Sequence, residues 1–312
     1  MRRRVFAPLL GVVLAGPLVL AAGCSGGDDV GVSVRGKFGA RPEVSFPKGA
    51  PSADLAVKTL VKGDGKGQGA RKGDLVVADY VGYRWSKDGN KLLANSYIAG
   101  LPGAFPTGRL VPGLDKALLG ARVGDRVVAK IPPAEGYGDK GDTQHQVGAD
   151  DSLVYVLDVR GVYGRTAHAR GRAQGLDDPR LPRVSGGAQG QAPQITVPRV
   201  AAPKGLQVRS LIQGEGPAVA KGRLVALQYV GVFWRDGRVF DSSWRSGRPY
   251  AVTIGTGQVM KGWDEALVGQ KVGSRLLLVV PPSLGYGKEG LAQAGIKGND
   301  TLVFVVDLLG VH

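Results

Sequence analysis

The sequence predicts two α+β units in tandem, each an antiparallel sheet packed on one short helix. Motifs recur at a constant offset of 149 residues, β-prone apolar stretches dominate, and one short helical periodicity stands out. Tyr80-Val81-Gly82 returns as Tyr229-Val230-Gly231, and Gly113-Leu114-Asp115 as Gly262-Trp263-Asp264. Gly136-Tyr137-Gly138 returns as Gly285-Tyr286-Gly287, and Leu153-Val154-Tyr155 as Leu302-Val303-Phe304. One offset held through four motifs marks a duplicated unit. The copies span residues 54–163 and 202–312 of a 312-residue chain.

In chain order, residues 1–23 read as an export signal. Arg2, Arg3 and Arg4 precede an apolar run from Val5 to Leu20, then Ala21-Ala22-Gly23 leads to Cys24. The run is short for a membrane span and carries Pro8 and Pro17. The small residues before Cys24 resemble a bacterial lipobox. That resemblance implies cleavage before Cys24, lipid on its thiol and a place on the outer face of the cell membrane. Leu20 stands four residues before the cysteine where the motif favours three, and plain secretion is the alternative. Arg3-Arg4-Val5-Phe6 is faintly similar to a twin-arginine signal, with ordinary export as the stronger reading. Residues 24–53, rich in Gly and Pro, read as a disordered tether. Residues 164–201, rich in Arg, Gly, Pro and Gln, read as a basic flexible linker.

Within the second copy, Leu224–Val230, Arg275–Val280 and Thr301–Leu309 read as strands. Pro281-Pro282 stops the second of them. Asp236-Gly237 between apolar runs signals a hairpin. Trp263, Ala266 and Leu267 fall at i, i+3 and i+4, giving a helix one apolar face, and Gly269 ends it.

Composition narrows the chemistry. One cysteine excludes a disulfide framework, and three scattered histidines (His145, His168, His312) argue against a metal centre. Net charge is +15, which favours anionic surroundings such as lipid headgroups or wall polymers. No recognition motif accompanies the Arg-rich stretch, so no nucleic-acid role is expected.

The second copy strongly resembles the FKBP-type peptidyl-prolyl isomerases. Five motifs in one order carry the resemblance: Tyr229-Val230-Gly231, Asp236-Gly237-Arg238-Val239-Phe240-Asp241-Ser242-Ser243, Val259-Met260-Lys261-Gly262-Trp263, Gly285-Tyr286-Gly287 and Leu302-Val303-Phe304. It implies an antiparallel β half-barrel wrapped around one short α-helix, with a shallow apolar pocket that accepts a proline ring and needs no cofactor or metal. Trp263 would be the pocket floor. Tyr229, Phe240 and Phe304 would form aromatic walls, Val259 and Met260 one side, and Tyr250 the sheet edge. Asp241 and Tyr286 would be the polar groups, with Ile296 closing the rim. Catalysis would fall to Asp241, Tyr286, Trp263 and Phe304. Expected partners are proline-containing exported polypeptides and the family's macrolide inhibitors.

The first copy departs from the pattern. Leu114 replaces Trp263, and Leu110 and Val111 replace Val259 and Met260. Ala94-Asn95-Ser96 is the best match for Phe240-Asp241-Ser242, which would set Asn95 in place of Asp241. This copy is expected to fold with a weak or altered site. The function expected is prolyl isomerisation assisting the folding of exported proteins at the cell surface. The alternative is a non-catalytic chaperone or binding module built on the same folds.

Overall fold

A computed structural model describes residues 29–187 and 190–312. Cys24 and the export segment lie outside the described residues.

The first unit opens with a hairpin of β1 (Ser33–Arg35) and β2 (Glu43–Ser45). Its sheet comprises β3 (Ala56–Val61), β4 (Leu75–Ser86), β5 (Gly89–Asn95), β6 (Gly103–Pro106), β7 (Arg126–Ile131) and β8 (Ser152–Tyr163). Helices α1 (Ser96–Ala99) and α2 (Pro112–Leu118) fall within it. The second unit opens with β9 (Arg172–Ala173) and a hairpin of β10 (Arg183–Gly186) and β11 (Pro193–Thr196). There follow β12 (Gln207–Gln213), β13 (Leu224–Phe233), β14 (Val239–Ser242), β15 (Tyr250–Thr253), helix α3 (Lys261–Leu267), β16 (Arg275–Val280) and β17 (Leu302–Val311).

The two sheets share one topology, in accord with the expected duplication, except that β9 adds an edge strand beside β12 in the second. Strand order is β3-β7-β8-β4-β5 with β6 also on β4, and β12-β16-β17-β13-β14 with β15 also on β13. Every pairing is antiparallel. On one face lies the helix. Trp263, Ala266 and Leu267 pack against Leu276, Leu278, Phe304 and Val306, so the i, i+3, i+4 stripe is the buried one. Gly269 follows the helix at φ 84, a conformation that favours glycine. Gly262 has a different cause: a Cβ there would lie 2.5 Å from Val280 Cγ1, so only glycine lets the helix sit this close to the sheet.

The described parts of the two segments read as a tether and a flexible linker, from residue 29 onward, are instead folded. Val30, Val32, Val34 and Val44 pack on the second face of the first sheet, over Val81, Val128 and Val156. Leu181, Val184, Ile195 and Val197 do the same over Val230, Val232, Leu277, Val279, Val303 and Val305. The interior strands β7 and β16 are therefore buried along their whole length. Composition hides these covers because it carries no information on the spacing of apolar residues. A few large ones, alternating with Arg, Gly and Pro, suffice when a preformed apolar sheet face receives them.

A buried ion pair secures each hairpin. Arg126 Nε donates to Asp158 at 2.6 Å, and its other nitrogens donate to the carbonyls of Gly36, Lys37 and Ala40. Arg275 Nε likewise donates to Asp307 at 2.7 Å and reaches the carbonyls of Gly186 and Gly187. Each pair sits at the same point of the 149-residue repeat. The duplicated unit thus includes its hairpin.

The units also meet each other. Leu75 and Val77 of β4 pack with Leu224 and Ala226 of β13, flanked by Tyr163 and Leu309. The Tyr163 hydroxyl lies 2.6 Å from His312 Nε2. Leu75 and Leu224, Val77 and Ala226, and Tyr163 and His312 are each separated by 149 residues, so equivalent positions face each other across the contact.

Candidate functional site

In the second unit strands β13, β14, β15 and β17 and the start of α3 bring five rings together. Tyr229 stands edge-on to Trp263 with centroids 5.3 Å apart, and Trp263 stands edge-on to Phe304 at 5.3 Å. Phe240 meets Phe304 at 5.6 Å, and Tyr250 meets Tyr229 at 6.0 Å. Such edge-to-face contacts hold ring positions more firmly than area burial alone. Gly231 makes the cluster possible: a Cβ there would lie 2.7 Å from Phe240 Cζ and 2.9 Å from Phe304 Cε1. That is the reason for glycine in Tyr229-Val230-Gly231.

Trp263 is 4% exposed and packs among these rings, its indole N–H without a protein partner among the described residues. Val259 and Met260 are half-buried beside it. At the mouth stand Tyr250 (44% exposed) and Tyr286 (37% exposed). Ile296 differs from expectation. It is 4% exposed and packs in the core with Trp263 and Phe304, so it supports the rim loop from beneath.

Polar groups are few. Tyr229 donates its hydroxyl hydrogen to Asp241 Oδ2 at 2.5 Å, while Asp241 Oδ1 accepts from the Ser242 amide at 2.8 Å. Burial first, and the Asp241 carboxylate second, push the Tyr229 hydroxyl well above its ordinary pKa. The same two causes, in the same order, raise Tyr250 and Tyr286. All three remain donors at neutral pH.

Two positioning residues escaped the sequence reading. Asp264 accepts from the amides of Gly255 and Gly257 at 2.6 and 2.7 Å, tying the loop before α3 to the helix that carries Trp263. Asp115 plays this part in the first unit, accepting from the Gly108 amide at 2.7 Å. Ser243 Oγ accepts from the Tyr229 amide at 2.8 Å, as Ser96 Oγ does from Tyr80 at 2.7 Å. The shared Gly-x-Asp at the common offset was the available signal for Asp264; Ser96 and Ser243 stand 147 residues apart, two short of that offset, which hid the serine match.

The serine match corrects the alignment of the first unit. Gly82 pairs with Ala94, as Gly231 pairs with Asp241. Ala94, not Asn95, therefore occupies the Asp241 position. Asn95 occupies that of Ser242 and caps α1, accepting from the amides of Tyr97 and Ile98. Leu114 takes the Trp263 place as expected. A compensation accompanies it: Val76 pairs with Phe105 where Val225 pairs with Val252, and Phe105 meets Tyr80 edge-on at 5.2 Å. A larger residue on the sheet fills part of the volume lost from the helix. Gly103 stands at the Tyr250 position, and Tyr155 at that of Phe304.

A family model described as FKBP-type peptidyl-prolyl cis-trans isomerase matches residues 66–160 and 216–309. An FK506-binding protein of Streptomyces anulatus is 38% identical over 121 residues, covering 39% of this chain and 98% of the relative. Peptidyl-prolyl cis-trans isomerase FKBP9 of Rattus norvegicus is 33% identical over 205 residues, covering 66% of this chain but 29% of that protein. Among solved structures, that of FkpA from Escherichia coli is 39% identical over 34% of this chain and 48% of the other, with a TM-score of 0.32.

Proposed function

The chain belongs to the FKBP-type peptidyl-prolyl cis-trans isomerase family, and on that premise we propose that its second unit isomerises X–Pro bonds in exported proteins, at the outer face of the cell membrane. The carrying observation is the ring cluster around Trp263, with Asp241 clasping Tyr229.

Rotation about an X–Pro bond breaks amide resonance, which makes it take tens to hundreds of seconds unaided. No bond is cleaved, so no nucleophile or metal is required. The twisted amide has a less polar carbonyl than the planar one. A pocket floored by Trp263 and walled by Phe240 and Phe304 favours it by excluding water. Tyr286 at the mouth supplies a donor to orient the carbonyl. Each tenfold gain in rate requires only about 1.4 kcal/mol of such differential binding.

The first unit serves as a holding site in this reading, because it keeps rings but lacks both the indole floor and the carboxylate. The anchoring part of the proposal rests on the small residues before Cys24, and two acyl signals would make attachment stable. Macrolide inhibitors of the family would compete at the Trp263 pocket.

The test is a prolyl-tetrapeptide isomerisation assay on the full chain. Trp263→Ala and Phe240→Ala should each abolish most of the acceleration over buffer. A rate unchanged by both would remove catalysis from the second unit. For anchoring, mass spectrometry of the processed protein should find lipid on an N-terminal Cys24, and Cys24→Ala should move the protein from the membrane fraction to the medium. An unmodified cysteine would leave plain secretion.

A further inference from the structure

The first unit's site differs from the second in its polar groups. Three phenols converge there. Tyr80 and Tyr155 have ring centroids 6.2 Å apart, and Tyr155 feels the neighbouring oxygens of both Tyr80 and Tyr137. None of the three hydroxyls has a side-chain hydrogen-bond partner among the described residues, in contrast to Tyr229, whose hydroxyl is held by Asp241. At the Asp241 position stands Ala94, which brings no charge. The Phe304 position has gained a hydroxyl as Tyr155, and the Tyr250 position is opened by Gly103. One carboxylate does act on Tyr137: after burial, Asp142 raises its hydroxyl, but that carboxylate is paired to His145 Nδ1 at 2.5 Å, and the His145 ring stacks on Tyr137 at 6.3 Å.

We propose that the first unit binds prolyl segments carrying an acidic side chain beside the proline, which the second unit's Asp241 disfavours. The inference rests on the reading of the first unit as a holding site and deepens it. A carboxylate is the strongest acceptor that a set of unpaired phenol donors can meet, because a charge-assisted hydrogen bond is roughly twice as strong as a neutral one. In the second unit the same ligand would meet a fixed like charge, and the Tyr229 donor is already engaged. The duplication thereby divides clients by charge: acidic prolyl segments are held by one unit while neutral and basic ones turn over on the other.

The experiment uses the full chain and two photoreactive peptides identical except for Glu or Gln before proline. Irradiation followed by digestion and mass spectrometry counts adducts on each unit separately. The Glu peptide should favour the first unit over the second by about tenfold more than the Gln peptide does. Tyr155→Phe should cut that preference several-fold, and Ala94→Asp, which restores the carboxylate, should abolish it. Equal partition of the two peptides, or a preference untouched by both variants, overturns the charge selectivity while leaving the holding role intact. Adducts of both peptides on the second unit alone overturn the holding role itself.

Discussion

Asp241 and Tyr229 form a charged clasp in a wall of rings, and single substitutions there separate orientation from packing. Asp241→Ala should lower kcat/KM three- to tenfold, since a hydrogen bond to a charged group contributes about 1.5–3 kcal/mol and this one is partly solvated. Tyr286→Phe should lower it roughly two- to tenfold for loss of a neutral bond of about 0.5–1.5 kcal/mol. The tetrapeptide assay checks both. The raised tyrosines also fix a pH profile. Their hydroxyls lose protons only above the ordinary value of 10.0, so donation survives throughout the neutral and mildly alkaline range. The rate should stay flat from neutral pH to about 10, and a fall with a midpoint below that would show that these phenols are not the donors described. The second pocket was legible in the sequence because its residues lie in motifs of fixed spacing. Ala94 was not, because the hairpin lengths differ and a strand slipped by one residue turns every side chain to the opposite face.

At the scale of elements, the hairpins β1–β2 and β10–β11 turn a sheet with one buried face into a sheet with two. Sequence composition hid them, but the six-residue run of β16 did carry a hint. A strand that is apolar on both sides needs a cover on both. Arg275 joins cover to sheet, so Arg275→Met should strand Asp307 as an uncompensated buried charge and cost about 3–5 kcal/mol. Urea denaturation should register this as a lowered midpoint, and Arg275→Met with Asp307→Leu should recover most of it. The exposed arginines of residues 164–201 should likewise resist trypsin, because cleavage requires local opening of the packed segment. Leu181→Asp, which puts a charge under the hairpin, should make that segment the first site cut. Equal digestion of both forms would mean that the hairpin does not hold to the sheet.

For the whole molecule, the contact between the units decides whether two sites act as one body. Burial, then Arg160 and Arg223, push the His312 imidazole down to about 4, so it is neutral as it faces Tyr163. A released His312 would return towards 6.5. Docking is therefore at full strength above about 6.5, and protons favour separation as pH falls from there towards 4. Small-angle scattering should show one compact particle at pH 7 and a larger radius of gyration near pH 4. A radius that is constant across that range would show that His312 does not govern the contact. Duplication itself was plain in the 149-residue offset, whereas this contact was not, since pairing across units leaves no periodic trace in either. Its symmetry has a further consequence in mass action. A surface on which each position meets its own counterpart fits any second molecule of the same kind equally well. The short covalent span keeps the partner at an effective concentration near the millimolar range, so the contact closes within one chain. Crowded on a surface to comparable density, neighbouring chains would compete for it and trade halves.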